Sequence, residues 1–220
     1  MIKKVLWASM LDYPGEISTV LFTGNCNWNC EYCQNKPLFN MENQNFNDIL
    51  KKIINRKSMI NHIILSGGEC TLSKYFDYYI KKLKENDFKI GIHTNGENYD
   101  EIKNNILDLD FVGLDIKTSH NKYNNIANTI TNTDNIEKTL SLLINSKIKY
   151  EIRTTLFPKY VSIKDLEYIA KYIKKLGVEK YFIQKYIPLS EEENNYSDEE
   201  ILEFEKKLNN IIKTKARGLI

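Results

Sequence analysis

The chain has few prolines, glycines and cysteines: four, nine and four, respectively, among 220 residues. Three of the cysteines, Cys26, Cys30 and Cys33, lie in one short stretch. A disulfide framework needs cysteines paired across the chain of a small secreted protein, and this chain does not have that distribution. The cysteines therefore favour reduced thiols that ligate a metal in the cytoplasm.

The sequence also lacks an excess of charge and a long apolar run. Its net charge of +2 gives no support for nucleic acid or a membrane surface as the main partner. No stretch approaches the roughly 18 apolar residues of a membrane span. The N-terminal apolar segment, Val5 to Leu11, is followed by Asp12 and Pro14, and we interpret it as a lead-in segment. We expect the acidic run Glu191-Glu192-Glu193 to be a solvated loop.

The chain shows no internal repeat or linker, which predicts a single domain over residues 1–220. Short β-branched runs alternate with helical patterns, as in βα units with a parallel sheet. The predicted strands are Ile17–Thr23, His62–Leu65, Lys89–His93, Phe111–Ile116, Ile148–Leu156 and Lys180–Ile187. The predicted helices are Asn47–Lys57, Lys74–Glu85, Tyr99–Leu107, Asn135–Ser146, Ile163–Leu176 and Asp198–Ile212, with a loop at Asn121–Thr133. Six units are too few for an eight-stranded barrel. The expected fold is therefore α/β, a partial (β/α)6 barrel of parallel strands that is open on one side.

The clustered cysteines form the sequence Cys26-Asn27-Trp28-Asn29-Cys30-Glu31-Tyr32-Cys33, directly after the first predicted strand. Structural zinc and iron–sulfur clusters are normally held by four protein ligands, so three cysteines leave one position open. An open position suits catalysis better than a purely structural site. Two alternatives remain: three unrelated reduced cysteines, or a zinc site completed by a distant residue such as Cys70 or His93.

The C-x3-C-x2-C spacing, with Tyr32 before the last cysteine, resembles the signature loop of the radical S-adenosylmethionine (SAM) enzymes. The resemblance implies a [4Fe–4S] cluster held by Cys26, Cys30 and Cys33, with SAM as the ligand of the fourth iron. It further implies that Tyr32 packs near the adenine of SAM and that Trp28 shields the cluster from solvent.

A glycine pair, Gly67-Gly68, and Glu69 follow the second predicted strand, where ligands gather in parallel α/β sheets. Alone, this sequence is equally consistent with a tight strand-to-helix turn. Beside the cysteine loop, it resembles the Gly-Gly-Glu element that receives the ammonium of SAM. Glu69 would then accept hydrogen bonds from that ammonium or from nearby backbone. Cys70 stands where the family usually has proline, and we expect it to be a buried thiol rather than a fourth cluster ligand.

Alternation along the fourth predicted strand turns Asp115 and Lys117 away from its apolar face. The pair is consistent with a structural salt bridge. It also resembles glycyl-radical activating enzymes, in which Lys117 would bind the SAM carboxylate and Asp115 would belong to a monovalent-cation site. The family often has aspartate where this chain has His93, which counts against that cation site.

The fifth strand places Arg153 on one face with Glu151 and Thr155. The segment Tyr150 to Thr155 resembles the Arg-Thr-Thr segment of the activating proteins of anaerobic ribonucleotide reductase. Arg153 would lie near SAM or near an acidic group of the substrate. The opening sequence Leu11 to Glu16 resembles the same subgroup.

These resemblances together imply an enzyme that reductively cleaves SAM to a 5′-deoxyadenosyl radical. That radical would take hydrogen from a glycine of anaerobic ribonucleoside-triphosphate reductase, generating its glycyl radical. The implied partners are that reductase and a low-potential electron donor such as flavodoxin or ferredoxin. The alternatives are a radical SAM enzyme acting on a small molecule or peptide, and a non-catalytic iron–sulfur or zinc protein.

Overall fold

The computed structural model describes residues 1–190 and 193–219, so most of the predicted acidic loop, Glu191 and Glu192, lies outside the described residues. The described residues form eight β-strands and eight α-helices. The strands are β1 (Ile2–Tyr13), β2 (Glu16–Thr23), β3 (His62–Gly67), β4 (Lys89–Thr94), β5 (Phe111–Asp115), β6 (Lys149–Leu156), β7 (Lys180–Lys185) and β8 (Lys213–Arg217). The helices are α1 (Lys36–Phe39), α2 (Phe46–Asn55), α3 (Phe76–Lys84), α4 (Tyr99–Asn105), α5 (Tyr123–Ala127), α6 (Thr133–Asn145), α7 (Ile163–Lys175) and α8 (Asp198–Asn209).

The strands are hydrogen-bonded in chain order, from β1 to β8. Strands β2, β3 and β4 are parallel neighbours, and so are β6, β7 and β8. The predicted α/β class, with a parallel sheet that is not closed, is therefore confirmed. Each of the six predicted strands is present. In parallel α/β sheets, the loops that follow the strands meet at the carboxyl edge, and Gly67, Gly68 and Glu69 lie at the end of β3 in this way.

The sequence prediction missed two further strands. The N-terminal segment is not a lead-in: it forms β1, which pairs antiparallel with β2 through a tight turn at Pro14-Gly15. Gly15 has a φ of +81°, which favours glycine, and fully buried Ile2 anchors the other end of the strand. At the other terminus, the predicted helix Asp198–Ile212 ends at Asn209, and β8 follows it, parallel to β7.

The predicted loop at Asn121–Thr133 is wrong in its first half, where α5 forms. Tyr123, Ile126 and Ala127 are buried on one side of this short helix, and this packing outweighs the polar composition that suggested a loop. Asn128 ends the helix in the left-handed conformation, with a φ of +49°, a position that asparagine tolerates better than most residues.

The chain divides into two compact units, which we describe separately. The first contains residues 1–27, 35–113 and 148–150, and its core includes Tyr13, Val20, Ile64 and Phe111. The second contains residues 28–34, 114–147 and the chain from Glu151 onwards. No helix in the described part of the chain is long and apolar enough to cross a bilayer.

The second unit buries the apolar faces of α6 and α7. The buried residues recur at helical spacing, Ile136, Leu140 and Leu143 in α6 and Ile169 and Ile173 in α7. Ile116 lines the same cleft as Ile136, Leu140 and Ile169, so it points toward these helices. Its neighbours Asp115 and Lys117 contact each other at 2.9 Å, as expected for two side chains that share one face.

Candidate active site

The glycine pair after β3 lies directly against the chain that leads into the cysteine loop. A Cβ atom on Gly67 would overlap the backbone of Thr23, and one on Gly68 would overlap the backbone of Asn25. Gly67 also has a φ of +114°, and the Gly68 N–H donates to the Thr23 carbonyl at 3.0 Å. Glycine is therefore required here because two chain segments approach closely, which a generic turn would not demand.

The Glu69 carboxylate is buried and accepts hydrogen bonds from four donors. They are the Thr71 N–H at 3.3 Å, the Thr71 hydroxyl at 2.8 Å, the Thr94 hydroxyl at 2.8 Å and the Asn95 N–H at 2.7 Å. Burial raises the pKa of Glu69 above its usual value, and the bonds from Asn95, Thr94 and Thr71 act in the opposite direction. The sequence left open whether this side chain accepts from a SAM ammonium or from backbone. The partners it has here are backbone and hydroxyl groups, which tie the end of β3 to the end of β4.

The three loop cysteines fall in both units: Cys26 in the first, Cys30 and Cys33 in the second. None forms a disulfide; Cys30 is buried, and the other two are half-buried. The Cys33 N–H donates to the Cys30 carbonyl at 3.3 Å, which shapes the end of the loop. Within the described ranges, no three His, Cys, Asp or Glu side chains are gathered at one metal position. The loop is a candidate ligand set because it carries three thiols, and not because the three sulfur atoms are already gathered at one point.

Trp28, inside the loop, packs edge-on against Tyr123 of α5 with ring centroids 5.9 Å apart. The N–H of the next residue, Asn29, donates to the Ala127 carbonyl at the end of the same helix at 2.8 Å. The unpredicted helix α5 is thus the support for the middle of the cysteine loop. Trp28 contributes to a packed interior, and its shielding of a cluster stays a prediction.

Tyr32 lies in an aromatic cluster of the second unit. Its ring stacks on Phe157 with centroids 5.0 Å apart and meets the edge of Tyr186 at 5.9 Å. Its hydroxyl is buried and has no hydrogen-bond partner among the described residues. Burial raises the pKa of Tyr32 well above its usual value, and the nearby Lys117 ammonium opposes that shift. A buried hydroxyl without a partner is costly, so this group is suited to a polar atom of a bound ligand.

Asp115, Lys117 and Arg153 form one charged group. The Lys117 ammonium lies 2.9 Å from one Asp115 oxygen, and the Arg153 guanidinium lies 2.9 Å from the other through two nitrogens. Burial alone would lower the pKa of Lys117, but Asp115, with contributions from Tyr32 and Cys30, raises it well above its usual value. Two cations beside one carboxylate leave a net positive charge. Such a charge favours an anionic ligand. The monovalent-cation site at Asp115 stays a prediction.

A second ion pair, on the same face of β6, was not predicted from the sequence. Arg217 of β8 donates from both terminal nitrogens to Glu151, at 2.8 and 2.6 Å, and its guanidinium lies 3.8 Å from the centroid of the Phe182 ring. The bidentate geometry fixes the guanidinium plane. The polar segment Lys213–Arg217 gave no strand signal, so nothing in the sequence placed Arg217 near Glu151.

The expected burial of Cys70 is confirmed: its side chain is fully buried, and its Sγ donates to the His93 carbonyl at 3.5 Å. Burial, and then the charge of Glu69, raises the pKa of this thiol well above its usual value. The His93 ring lies 3.0 Å from the Asp12 carbonyl through Nε2. These contacts give Cys70 and His93 a role in packing β4, and none of them points to a zinc site.

Comparison with known protein families shows which family this chain resembles. The model that describes the radical SAM superfamily matches residues 20–173, which include the cysteine loop, the Gly-Gly-Glu turn, Lys117 and Arg153.

Two proteins of Methanocaldococcus jannaschii assigned as glycyl-radical enzyme activating enzymes are similar in sequence. The first is 31% identical over 198 residues, which cover 86% of this chain and 80% of the relative. The second is 29% identical over 159 residues, which cover 70% of this chain and 61% of the relative.

Among solved structures, Streptococcus suis SuiB bound to S-adenosylmethionine superposes with a TM-score of 0.71. The match covers 90% of this chain and 50% of SuiB at 15% sequence identity. This chain therefore spans about half the length of that structure. At this identity, the likeness establishes a shared fold and nothing about the substrate.

Proposed function

The chain belongs to the radical SAM superfamily, and we propose that it activates a glycyl-radical enzyme, with anaerobic ribonucleoside-triphosphate reductase as its protein substrate. Enzymes of this superfamily use a [4Fe–4S] cluster and SAM, so the non-catalytic alternatives lose their support. The observation that carries the activase proposal is the 31% identity to an assigned activating enzyme over 198 residues, which cover 86% of this chain.

The residues of the loop fit the two cofactors. Cys26, Cys30 and Cys33 are thiols outside any disulfide, and three thiolates leave one iron of a cubane available to a ligand that is not a protein residue. The buried hydroxyl of Tyr32 offers a hydrogen bond that no described residue takes. Lys117 lies near Tyr32 and Cys30, which both contribute to raising its pKa. A ligand with a carboxylate and several polar groups suits this arrangement.

When bound, the cluster and SAM supply a 5′-deoxyadenosyl radical, and the roles of the protein are binding, orientation and exclusion of water. Lys117 has three N–H donors, of which Asp115 takes one, and it would hold the SAM carboxylate. Asp115 orients both Lys117 and Arg153. The stacked pair of Tyr32 and Phe157 would border the adenine, while Glu69 and the glycine pair fix the chain that enters the loop.

The choice of target rests on the sequence around two site elements. Arg153-Thr154-Thr155 and Asp12-Tyr13-Pro14-Gly15 both resemble the activating proteins of anaerobic ribonucleotide reductase. We propose that residues 1–220 act as one radical SAM domain and receive an electron from flavodoxin or ferredoxin. We place the enzyme in the cytoplasm, because a cluster on three thiolates needs a reducing compartment.

Two assays on anaerobically reconstituted, reduced protein test this function. With SAM alone, we expect methionine and 5′-deoxyadenosine; absence of both would contradict radical SAM chemistry. With SAM and the reductase, we expect a glycyl-radical EPR doublet on the reductase. SAM cleavage without that doublet would reject this target and favour the small-molecule or peptide alternative.

A further inference from the structure

Both chain neighbours of Cys26 are anchored to the ends of other strands. The Asn25 carbonyl accepts from the Glu69 N–H at 2.6 Å. On the other side, the Asn27 side-chain oxygen accepts from the Asn95 side-chain amide at 2.8 Å. The stretch between Gly24 and Cys30 contains no helix or strand. These side contacts therefore hold Cys26 where regular secondary structure does not.

Asn95 is the rigid member of the asparagine pair. It is buried, its N–H donates to Glu69 at 2.7 Å, and its side-chain oxygen accepts from the Glu97 N–H at 3.0 Å. Asn27 is exposed, and its amide group also donates to the Glu97 carboxylate. Asn95, in the turn after β4, thus holds the side chain of Asn27, which is the chain neighbour of Cys26.

We propose that Asn95 and Asn27 are positioning residues for Cys26, a role that rests on the proposed function of the cysteine loop. The Cys26 Sγ lies 3.8 Å from the Asn27 side-chain oxygen, so fixing that amide restricts the sulfur beside it. A ligand set on an irregular loop binds its metal well only when supporting contacts hold each donor in place. The Asn95–Asn27 bond supplies such a contact.

The test measures how fast the Cys26 thiol is alkylated in protein that contains no cofactor. Metal-free, reduced protein is treated with iodoacetamide under anaerobic conditions, and the alkylation of Cys26 and Cys33 is followed separately by peptide mass spectrometry. In Asn95→Ala, we expect Cys26 to react about fivefold faster relative to Cys33, the factor expected for the loss of one ordinary hydrogen bond. Reconstituted Asn95→Ala should also lose iron to a chelator faster than the wild type.

Asn98→Ala is the matched control. Asn98 lies in the same turn, but its amide donates to the Thr71 carbonyl at 3.0 Å and not to the cysteine loop. The ratio of the two alkylation rates should stay at the wild-type value. Asn27→Ala changes an exposed residue, so it should fold even if Asn95→Ala does not, and it should reproduce the faster Cys26 reaction. The double variant should react no faster than Asn27→Ala, because Asn27→Ala already removes the bond that Asn95 makes to the loop.

Three results would overturn the proposal: an unchanged ratio in Asn27→Ala, an equal rise for both cysteines, or the same rise in Asn98→Ala. Because alkylation of the metal-free protein needs neither SAM nor a reductase, these results are independent of the proposed reaction. If SAM is not cleaved but the alkylation ratio still changes fivefold, the proposed reaction is rejected. The positioning of Cys26 by Asn95 and Asn27 is then retained.

Discussion

Two acidic side chains of the candidate site, Glu69 and Asp115, have opposite surroundings. Glu69 accepts from four donors, and none of them is charged. Asp115 has a cation on each of its oxygens, Lys117 and Arg153. The first carboxylate is satisfied within its own unit by neutral groups. The second belongs to a group whose charges sum to +1.

This difference separates a positioning role from a binding role. A buried carboxylate with four internal hydrogen bonds gains little from a further partner, and its loss would leave several donors unsatisfied. A net positive group keeps an electrostatic preference for an anion such as a carboxylate. We therefore expect changes at Glu69 to affect the stability of the fold, and changes at Lys117 to affect the affinity for SAM.

The largest effect should come from the cysteine loop. Cys30→Ala should abolish cluster assembly and SAM cleavage, because two thiolates do not hold a cubane. Cys70→Ala is the matched control: it removes a buried thiol outside the loop and should retain the wild-type iron content. Iron and sulfide analysis after reconstitution checks both variants. A Cys30→Ala protein that still cleaves SAM would show that the ligand assignment is wrong.

Glu69→Gln should destabilise the protein by about 3 kcal/mol, since its amide nitrogen would face the donors that the carboxylate now accepts from. Urea denaturation of the metal-free protein measures this loss. As a control on an exposed acid, Glu203→Gln should change the free energy of unfolding by less than about 0.5 kcal/mol. An unchanged stability in Glu69→Gln would remove the distinction between the two carboxylates.

Much of this site could be predicted from the sequence because its chemistry lies in local motifs. The order of strands and helices, the cysteine spacing and the closeness of Asp115 and Lys117 follow from periodicity and short patterns. The contacts of Glu69 with Thr94 and Asn95 could not, because they join residues 25 and 26 positions apart. The pairing of Arg217 with Glu151 could not be predicted either, because it depends on β8, a polar strand that pairs with β7.

Lys117→Ala should weaken SAM binding about thirtyfold, a loss of about 2 kcal/mol, which is typical of one charge-assisted hydrogen bond. Iron content should stay normal, because the side chain is not a cluster ligand. Lys171→Ala, which changes an exposed lysine of α7, should bind SAM as the wild type does. Equilibrium dialysis with labelled SAM measures both affinities. Unchanged affinity in Lys117→Ala would mean that Lys117 has only a structural role, in its salt bridge with Asp115.

Asp165 is a third carboxylate to compare, and it accepts hydrogen bonds from one cation and two hydroxyl groups. Burial alone would raise its pKa, but hydrogen bonds from Lys122, Ser162 and Ser119 lower it to about 2, from an ordinary 3.8. A lowered pKa stabilises the fold above the ordinary value, and that contribution is lost as the pH falls from 3.8 toward 2.

The difference in unfolding free energy between the wild type and Asp165→Asn should therefore be about 1 kcal/mol at pH 7, after allowance for solvent screening. It should shrink as the pH falls through the interval between the two pKa values. Urea titrations of both proteins across that range check the trend. A difference that stays constant with pH would mean that the charge of Asp165 is not what stabilises this region.

The proposed reaction requires three loop cysteines that hold a cluster and leave one iron for SAM. The EPR spectrum of the reduced, reconstituted protein, recorded before and after addition of SAM, tests this directly. We predict a [4Fe–4S] signal that changes shape when SAM is added and that is absent from Cys30→Ala. A signal that SAM leaves unchanged, or a protein that takes up one zinc and no iron, would contradict the account.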